Sequence, residues 1–277
     1  MKRFLNLFVV IALVFTMTGC AGDNKKNERT ALEVLNDTLN NKNEVSNVKM
    51  DAVMDMKINT QGMSVDTNIT LSGSVVKEND NYKALIELSD NPLIGEMKAY
   101  LDINNTNLKA YFPSTIYDLI FGIESDDTKW IKLEDEFNID DEKTDVSSYN
   151  VNDYLTENDF YLVSRENNNG TYCLVISNDL LKKFTKDTEY EDNDLKNNYK
   201  INIVIDEVNN RIVNVNMDLV ELINCLDLDS EDIAEFKDMI EKFVLNLNVV
   251  YGGINVSIPD DVVSSAITSD EYIESIY

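Results

Sequence analysis

The fold is decided by residues 48–76, which read VKMDAVMDMKINTQGMSVDTNITLSGSVV. Apolar and polar side chains alternate along both halves of this stretch, a pattern typical of strands with one buried and one solvated face. A two-residue turn at Gln61-Gly62 sets four pairs of residues opposite one another: Ile58–Val65, Met54–Ile69, Ala52–Leu71 and Val48–Val75. All four pairs are apolar and share one face. Because a slip of one residue would turn one strand over, register and hydrophobic pattern together predict an antiparallel hairpin.

The same alternation predicts further antiparallel pairs downstream. They are residues 99–103 with 108–112 across Asn105-Thr106, 201–205 with 213–217 across 208–210, and 247–249 with 256–258 across Gly252-Gly253. In the second pair, Asn210 takes the left-handed region, which brings Ile205 opposite Val213. The third pair has an alternative, in which one strand continues through a bulge at the glycines. Further strands are predicted at 82–88, 129–133, 160–165 and 171–177.

Helical periodicity is confined to a few segments. It predicts helices at 27–39, 178–186, 230–242 and 260–266. Asp260 or Asp261 is expected to cap the last of these. Residues 113–121 are ambiguous, and the acidic stretch 137–156 is interpreted as a loop with one helical turn. The chain is therefore predicted to be α+β, with one curved antiparallel sheet, or half-barrel, whose concave apolar face is covered by helices.

The N-terminus has the layout of an export signal. Lys2 and Arg3 precede an apolar stretch at 4–15, and small residues lead to Cys20. The apolar stretch is too short to span a bilayer, which takes about 20 residues. This order resembles a bacterial lipoprotein signal, in which the cysteine thiol receives a diacylglycerol and becomes the mature N-terminus. We therefore expect a signal peptide at 1–19, a lipidated tether at 20–28, and a protein anchored to the extracytoplasmic face of the cell membrane.

Composition restricts the classes of function. The net charge is −27, and loss of Lys2 and Arg3 with the signal peptide makes it −29. Such a charge disfavours nucleic acid and anionic headgroups as partners, so attachment to the membrane would depend on the lipid. The chain has no histidine, which excludes Ser-His-Asp and Cys-His nucleophilic systems and histidine metal ligands.

Neither the acidic residues nor the cysteines indicate a specific catalytic or metal site. With 51 Asp and Glu, carboxylate pairs occur throughout the chain. Asp126-Asp127 and residues 139–142 are candidate calcium sites by composition, but neither matches the twelve-residue calcium loop. We expect no enzymatic activity, no cofactor and no metal. Cys173 and Cys225 each lie in an apolar run, so a disulfide and two buried free thiols both stay open.

Three places carry a resemblance to a known family. They are the lipidated Cys20 followed by a helix and a long strand pair through Val76, the short strand Lys129-Trp130-Ile131-Lys132 after a loop, and the strand–proline–helix ending at residues 255–263. Their order resembles the LolA/LppX-type lipoproteins and related lipoproteins of Gram-positive bacteria. The resemblance covers residues 28–267 as a single domain and leaves 268–277 as a C-terminal tail. It implies a concave apolar face that holds acyl chains or other hydrophobic ligands, and binding rather than catalysis.

The expected function is therefore binding or carriage of a hydrophobic or lipid ligand. Methionine is frequent on the predicted apolar face, and its flexible thioether suits irregular partners. We nominate Met54, Met56, Ile69 and Leu71 as ligand-binding residues. Two alternatives stay open: these side chains simply pack beneath helices, or the protein is an envelope scaffold for protein interaction with no small-molecule ligand.

Overall fold

The computed structural model describes ten segments of the chain: residues 29–41, 45–60, 63–79, 81–89, 95–104, 107–121, 128–136, 150–184, 195–225 and 239–276. The predicted signal peptide, Cys20 and the tether lie outside them. The acidic segments Asp126-Asp127 and 139–142, and both predicted turns at 61–62 and 105–106, also lie outside the described residues.

Strands dominate the described residues. They are β1 Asn47–Thr60, β2 Met63–Glu78, β3 Asn81–Ser89, β4 Met97–Ile103, β5 Asn107–Pro113, β6 Trp130–Glu136, β7 Phe160–Glu166, β8 Asn169–Ile176, β9 Tyr199–Asp206, β10 Arg211–Asp218, β11 Ile240–Tyr251 and β12 Ile267–Thr268. The helices are α1 Ala31–Leu39, α2 Ser114–Phe121, α3 Asn178–Phe184, α4 Leu219–Cys225, α5 Asp260–Ser265 and α6 Ser269–Ile276, with a 3-10 turn at Val151–Asp153.

All twelve strands belong to one hydrogen-bonded sheet. Its order is β12-β6-β5-β4-β3-β2-β1-β11-β10-β9-β8-β7. The successive pairs from β2 to β6 and from β7 to β11 are antiparallel. Only the short β12 runs parallel to its neighbour, β6, among the pairs with described register. The predicted α+β class with an antiparallel sheet is confirmed at this level.

Contacts group the chain into two compact units, where the sequence predicted one domain. The first unit comprises residues 1–44, 54–67 and 146–248, and the second comprises 45–53, 68–145 and 249–277. The long strands β1, β2 and β11 contribute to both units.

The first unit has a closed apolar core. The inward side chains of its strands are almost fully buried: Tyr172, Ile201, Ile203, Ile205, Ile212, Val215, Met217, Leu245 and Leu247. Helix α1 starts at a capping box, in which the Thr30 hydroxyl accepts from the Glu33 amide and the Glu33 carboxylate accepts from the Thr30 amide. It contacts β7 and the 3-10 turn. Its buried residues Leu32, Val34 and Leu35 add to the core.

The second unit buries an aromatic cluster. Tyr100 and Tyr111 face each other across β4 and β5 and pack with Val262 of α5. Trp130 lies beside Tyr100, with ring centroids 5.8 Å apart. Residues 268–277, expected to be a tail, instead form the end of β12 and helix α6 through Ile276. The fully buried Tyr272 holds α6 in the unit, because its hydroxyl donates to Asp118 over 2.7 Å.

The register predicted for the first hairpin is confirmed by its polar contacts. The Lys77 amide donates to the Ser46 carbonyl over 2.6 Å, which places residues 46 and 77 opposite one another. The Ser72 hydroxyl donates to Asp51 in the same alignment. Residues 101 and 103 pair with 110 and 108, also as predicted.

The hairpin of β9 and β10 was only partly predicted. Asn210 has φ of 49°, so the left-handed turn residue is confirmed. Ile203 pairs with Val215 as expected, but Ile205 pairs with Ile212 and not with Val213. A bulge between residues 212 and 214 shifts the register by one residue. The shift lets both Ile212 and Val215 be buried.

Three other predictions are corrected. The helix expected at 230–242 lies largely outside the described residues, and its last residues, 240–242, begin strand β11. The predicted hairpin of 247–249 with 256–258 is wrong, because residues 254–259 form no strand. Strand β11 ends at Tyr251, and Gly252 and Gly253, which follow it, have φ of 79° and 70°. Helix α5 is preceded by Pro259 and has no side-chain cap from Asp260 or Asp261. The ambiguous residues 114–121 form a helix.

Candidate functional site

The second unit presents one apolar sheet face with little cover, which we call the open face. Three cross-strand rows of its residues define it. They are Leu71–Leu88–Met97, Gly73–Ile86–Ala99, and Val75–Ala84–Leu101–Ala110–Leu133. Residues directly opposite in antiparallel strands share a face, so these rows form one continuous surface across β2 to β6. At about 4.8 Å between strands, the longest row spans about 19 Å.

Side chains on the open face are unusually accessible for apolar residues. Leu71 and Ile86 are each 42% exposed, Leu133 is 45% exposed and Val75 is 37% exposed. Small residues lie between them, and a Cβ added at Gly73 would have no described atom within 4 Å. At the centre of the open face, the small residues extend less far from the sheet than the larger apolar side chains around them. Contiguous exposed apolar surface of this kind is typical of binding sites.

The opposite face of the same strands is the covered one. Leu85, Tyr100 and Tyr111 alternate with the open-face residues and pack under α5, together with Ile258. Apolar area is thus available on both faces of the second unit.

Among the described helices, α5 is placed on the aromatic face, whereas α2 contacts one corner of the open face, where the Thr115 hydroxyl donates to the Met97 sulfur over 3.9 Å. Ile131, which lies opposite Phe112 on the same side as the open-face rows, is fully buried, while Leu133 two residues on stays accessible.

The four nominated ligand residues are divided between the two units. Met54 and Met56 are half-buried on the part of β1 that belongs to the first unit. Ile69 and Leu71 lie in the second unit, and Leu71 pairs with Leu88 on the open face. Met217, a methionine in the predicted strand 213–217, is 1% exposed and belongs to the core of the first unit.

Sequence reasoning missed most of the open face. Ile86 and Leu133 lie on strands that were predicted, at alternating positions, but no sequence signal separates an exposed apolar position from a buried one. The small residues Gly73, Ala84, Ala99 and Ala110 were the available hint. They follow one another across β2 to β5, and their small side chains leave room above the sheet.

A polar pocket lies at the end of the same strands. Asn107, Lys109, Glu134 and Asp135 line an open cavity of about 370 Å³. Lys109 and Lys132 approach the Glu134 carboxylate at 3.3 Å each, and these hydrogen bonds lower the pKa of Glu134. The lining is charged, so this cavity does not suit an acyl chain.

In the first unit, the Glu207 carboxylate accepts hydrogen bonds from Arg165 and Tyr172. Arg165 donates to both Glu207 oxygens at 2.8 and 3.1 Å, and the Tyr172 hydroxyl also donates to Glu207. Burial, and then the Glu207 hydrogen bond, raise the pKa of Tyr172.

Cys173 and Cys225 are buried free thiols, so the disulfide left open by the sequence is not formed. Burial and Glu221 raise the pKa of Cys225.

Among the described residues, no group of three or more Cys, Asp or Glu side chains is placed to hold a metal ion. No helix in the described part of the chain has the length and apolar content needed to cross a membrane.

Comparison with known proteins does not place the chain in a family. No family model matches it, and no curated protein matches it. Among solved structures, it is similar to a crystal structure of a DUF1329 family protein from Desulfovibrio piger, at 13% identity and a TM-score of 0.22. That likeness covers 79% of this chain and 90% of the other.

Proposed function

We propose that this protein is a membrane-anchored extracytoplasmic lipoprotein of the LolA/LppX type that binds or carries a hydrophobic or lipid ligand without catalysis. The observation that carries the proposal is the open face, with Leu71, Val75, Ile86 and Leu133 each more than a third exposed. The finer architecture, a half-barrel with helices over its concave side, belongs to the same proposal.

The anchor supplies the location. In this proposal Cys20 carries the lipid, and the net charge keeps the folded chain from adhering to anionic headgroups. Cys20→Ala should release the protein from the membrane fraction into the soluble fraction. Cys173→Ala is the matched control, because it also removes a thiol but leaves the signal intact. Unchanged membrane attachment of the Cys20 variant would refute the anchor.

The apolar contact that the open face offers limits how tightly it can bind a ligand. A methylene contributes about 0.8 kcal/mol when fully buried. Ten methylenes half-buried on one sheet face would then contribute about 4 kcal/mol, equivalent to a dissociation constant of about 1 mM. A single short chain would therefore be held weakly. The face is better suited to a ligand with two or more acyl chains.

Two measurements test ligand binding. Lipid extracted from the purified protein should be detectable by mass spectrometry, and a diacyl lipid carrying a fluorophore should bind. Ile86→Glu and Leu133→Glu place a charge on the open face and should reduce binding at least about tenfold. Val163→Glu is the matched control, since Val163 is 56% exposed on β7 in the other unit. Lipid-free protein that binds no diacyl probe, or equal loss in the control, would refute the proposal.

A scaffold without a small-molecule ligand is the second candidate. It is favoured by β7, which is a sheet edge and exposes Leu162 and Val163 at 37% and 56%. An edge strand offers unpaired backbone groups to a strand from a partner protein. Crosslinking through a cysteine introduced at the exposed Ser164 should then capture a defined partner. Adding Val163→Glu to that protein should abolish capture, while adding Ile86→Glu should not.

A further inference from the structure

The solvated face of the first unit carries a cluster of asparagines in cross-strand register, which we call the asparagine face. Asn202, Asn216 and Asn246 form one row across β9, β10 and β11. Asn214 and Asn248 form part of the next row. They alternate with buried core residues such as Ile201, Val215 and Leu247, so all five side chains lie on the same side of the sheet.

The amides of this face have hydrogen-bonding capacity left over. The Asn214 amide nitrogen donates to the Asn246 and Asn248 oxygens at 3.1 and 2.8 Å. These bonds hold three side chains in fixed positions. Asn202 and Asn216 have no described protein partner, so their carbonyl oxygens and amide hydrogens are available to a ligand. Asparagine is disfavoured in strands, which makes five of them on three adjacent strands costly as a purely structural choice.

An aromatic side chain extends the row. Tyr161 on β7 lies opposite Cys173, and Cys173 lies opposite Asn202. A hydrogen bond between the Tyr161 hydroxyl and the Cys173 thiol raises the pKa of Tyr161. Tyr161 is 36% exposed, so its ring is partly accessible to a ligand, whereas Cys173 is buried. From Tyr161 to Asn246 the row spans four strand intervals, or about 19 Å.

The near absence of charged side chains in this row restricts the kind of ligand that it can bind. The row from Tyr161 to Asn246 contains no ionisable side chain other than Tyr161 and Cys173, in a chain with net charge −27. Lys200 and Asp218 flank it with opposite charges. A surface of neutral amides beside an aromatic ring matches a ligand that has many hydroxyl or amide groups, an apolar ring face and no charge.

We propose that the asparagine face binds an uncharged polysaccharide chain, with Asn202 and Asn216 hydrogen-bonding its hydroxyl or acetamido groups and Tyr161 stacking on a sugar ring. The surface lies on the solvated side of the first unit and is independent of the open face and of the lipid anchor. An acylated or charged ligand would not fit it, because it has neither an apolar trough nor a cationic group in the row.

The test uses the full mature chain with Cys20→Ser, so that no lipid is present. Chitohexaose and cellohexaose are the probes, because the first offers acetamido groups and the second only hydroxyls. Either one should shift the backbone amide signals of β9 to β11 in an NMR titration at about 5 mM, several times a 1 mM dissociation constant. The effect should persist at high salt, since no ion pair is involved. Absence of any shift with both probes would overturn the proposal.

Variants locate the site. Asn216→Ala and Tyr161→Ala should each weaken binding about tenfold, while Tyr161→Phe keeps the ring and should weaken it less than about threefold. Asn224→Ala is the matched control, because Asn224 is exposed on α4 away from this face. Asn216→Thr, which suits a strand, replaces Asn216→Ala if that variant unfolds. Equal affinity of the Asn216 and Asn224 variants would refute the assigned surface.

Discussion

Tyr272 provides the sharpest test of the second unit, because it holds helix α6 through one buried hydrogen bond. Its hydroxyl donates to Asp118 at 2.7 Å, and the side chain is fully buried. Asp118 is 9% exposed, so its carboxylate has little access to replacement water. Tyr272→Phe should therefore destabilise the unit by about 1–3 kcal/mol, the cost of leaving a buried acceptor unpaired. Tyr272→Ala also removes the ring and should cost about 3–5 kcal/mol.

Trp130 reports on this unit alone. It is the single tryptophan of the chain and packs beside Tyr100 in the aromatic cluster. Urea unfolding followed by its fluorescence should show a midpoint lowered by about 1 M in Tyr272→Phe, since slopes are about 1–3 kcal/mol per molar urea. Tyr82→Phe is the control, because it removes a half-buried hydroxyl with no described hydrogen-bond partner in the same unit.

A double-mutant cycle isolates the bond itself. Tyr272→Phe combined with Asp118→Asn should cost less than the sum of the two single changes, because the carboxylate is no longer left unpaired. If Tyr272→Phe leaves the tryptophan transition where Tyr82→Phe leaves it, α6 is not part of the cooperative unit, and residues 268–277 are a tail as the sequence suggested.

Three further predictions concern packing, charge and thiols. Gly170→Ala should destabilise the first unit by about 1–3 kcal/mol in thermal unfolding, because the new Cβ would lie 2.5 Å from a carbon of the buried Tyr172 ring. Lys109→Met should raise the lowered pKa of Glu134, measured by carboxyl NMR titration. Because the folded pKa is the lower one, the contribution of this ion pair to stability is fully present above the unfolded pKa of about 4.5 and is lost as pH falls through the folded pKa. In Cys20→Ser protein, the two buried cysteines should react with a thiol reagent only on unfolding, and then both should react, whereas a disulfide would leave none.

Local alternation was sufficient to predict the first hairpin. Two long period-2 runs and a short turn fix the register, and the Lys77–Ser46 hydrogen bond follows from it. The bulge at Val213 could not be predicted, because either register places an apolar residue opposite Ile205: Val213 in the regular register and Ile212 in the bulged one. The start of β11 was misassigned for a related reason: Ile240 and Phe243 fit helical spacing, while Phe243, Leu245 and Leu247 fit strand alternation.

The candidate site depended on information that local patterns do not contain. The sequence identified an apolar face but nominated Met54 and Met56, which are half-buried in the first unit, rather than Ile86 and Leu133. An alternating strand shows which residues share a face, and not whether a distant helix will cover it. Helix α5 lies more than a hundred residues after β4 and β5, and its packing on Tyr100 and Tyr111 could not be read from either segment alone.

The contrast between the two units is the strongest physical argument for a binding role. In the first unit, the inward Ile, Val and Leu side chains of β9 to β11 are at most 8% exposed, and helix α1 adds buried residues to the same core. In the second unit, Leu71, Val75, Ile86 and Leu133 are 37–45% exposed. Ile131, on the same face of β6 as Leu133, is fully buried, so the accessible part of this face begins at Leu133. Leaving the four exposed side chains accessible loses about 25 cal/mol of stabilisation for each Å² of apolar surface that burial would have removed from water. This difference in exposure between otherwise similar side chains is what supports the proposed binding role of the open face.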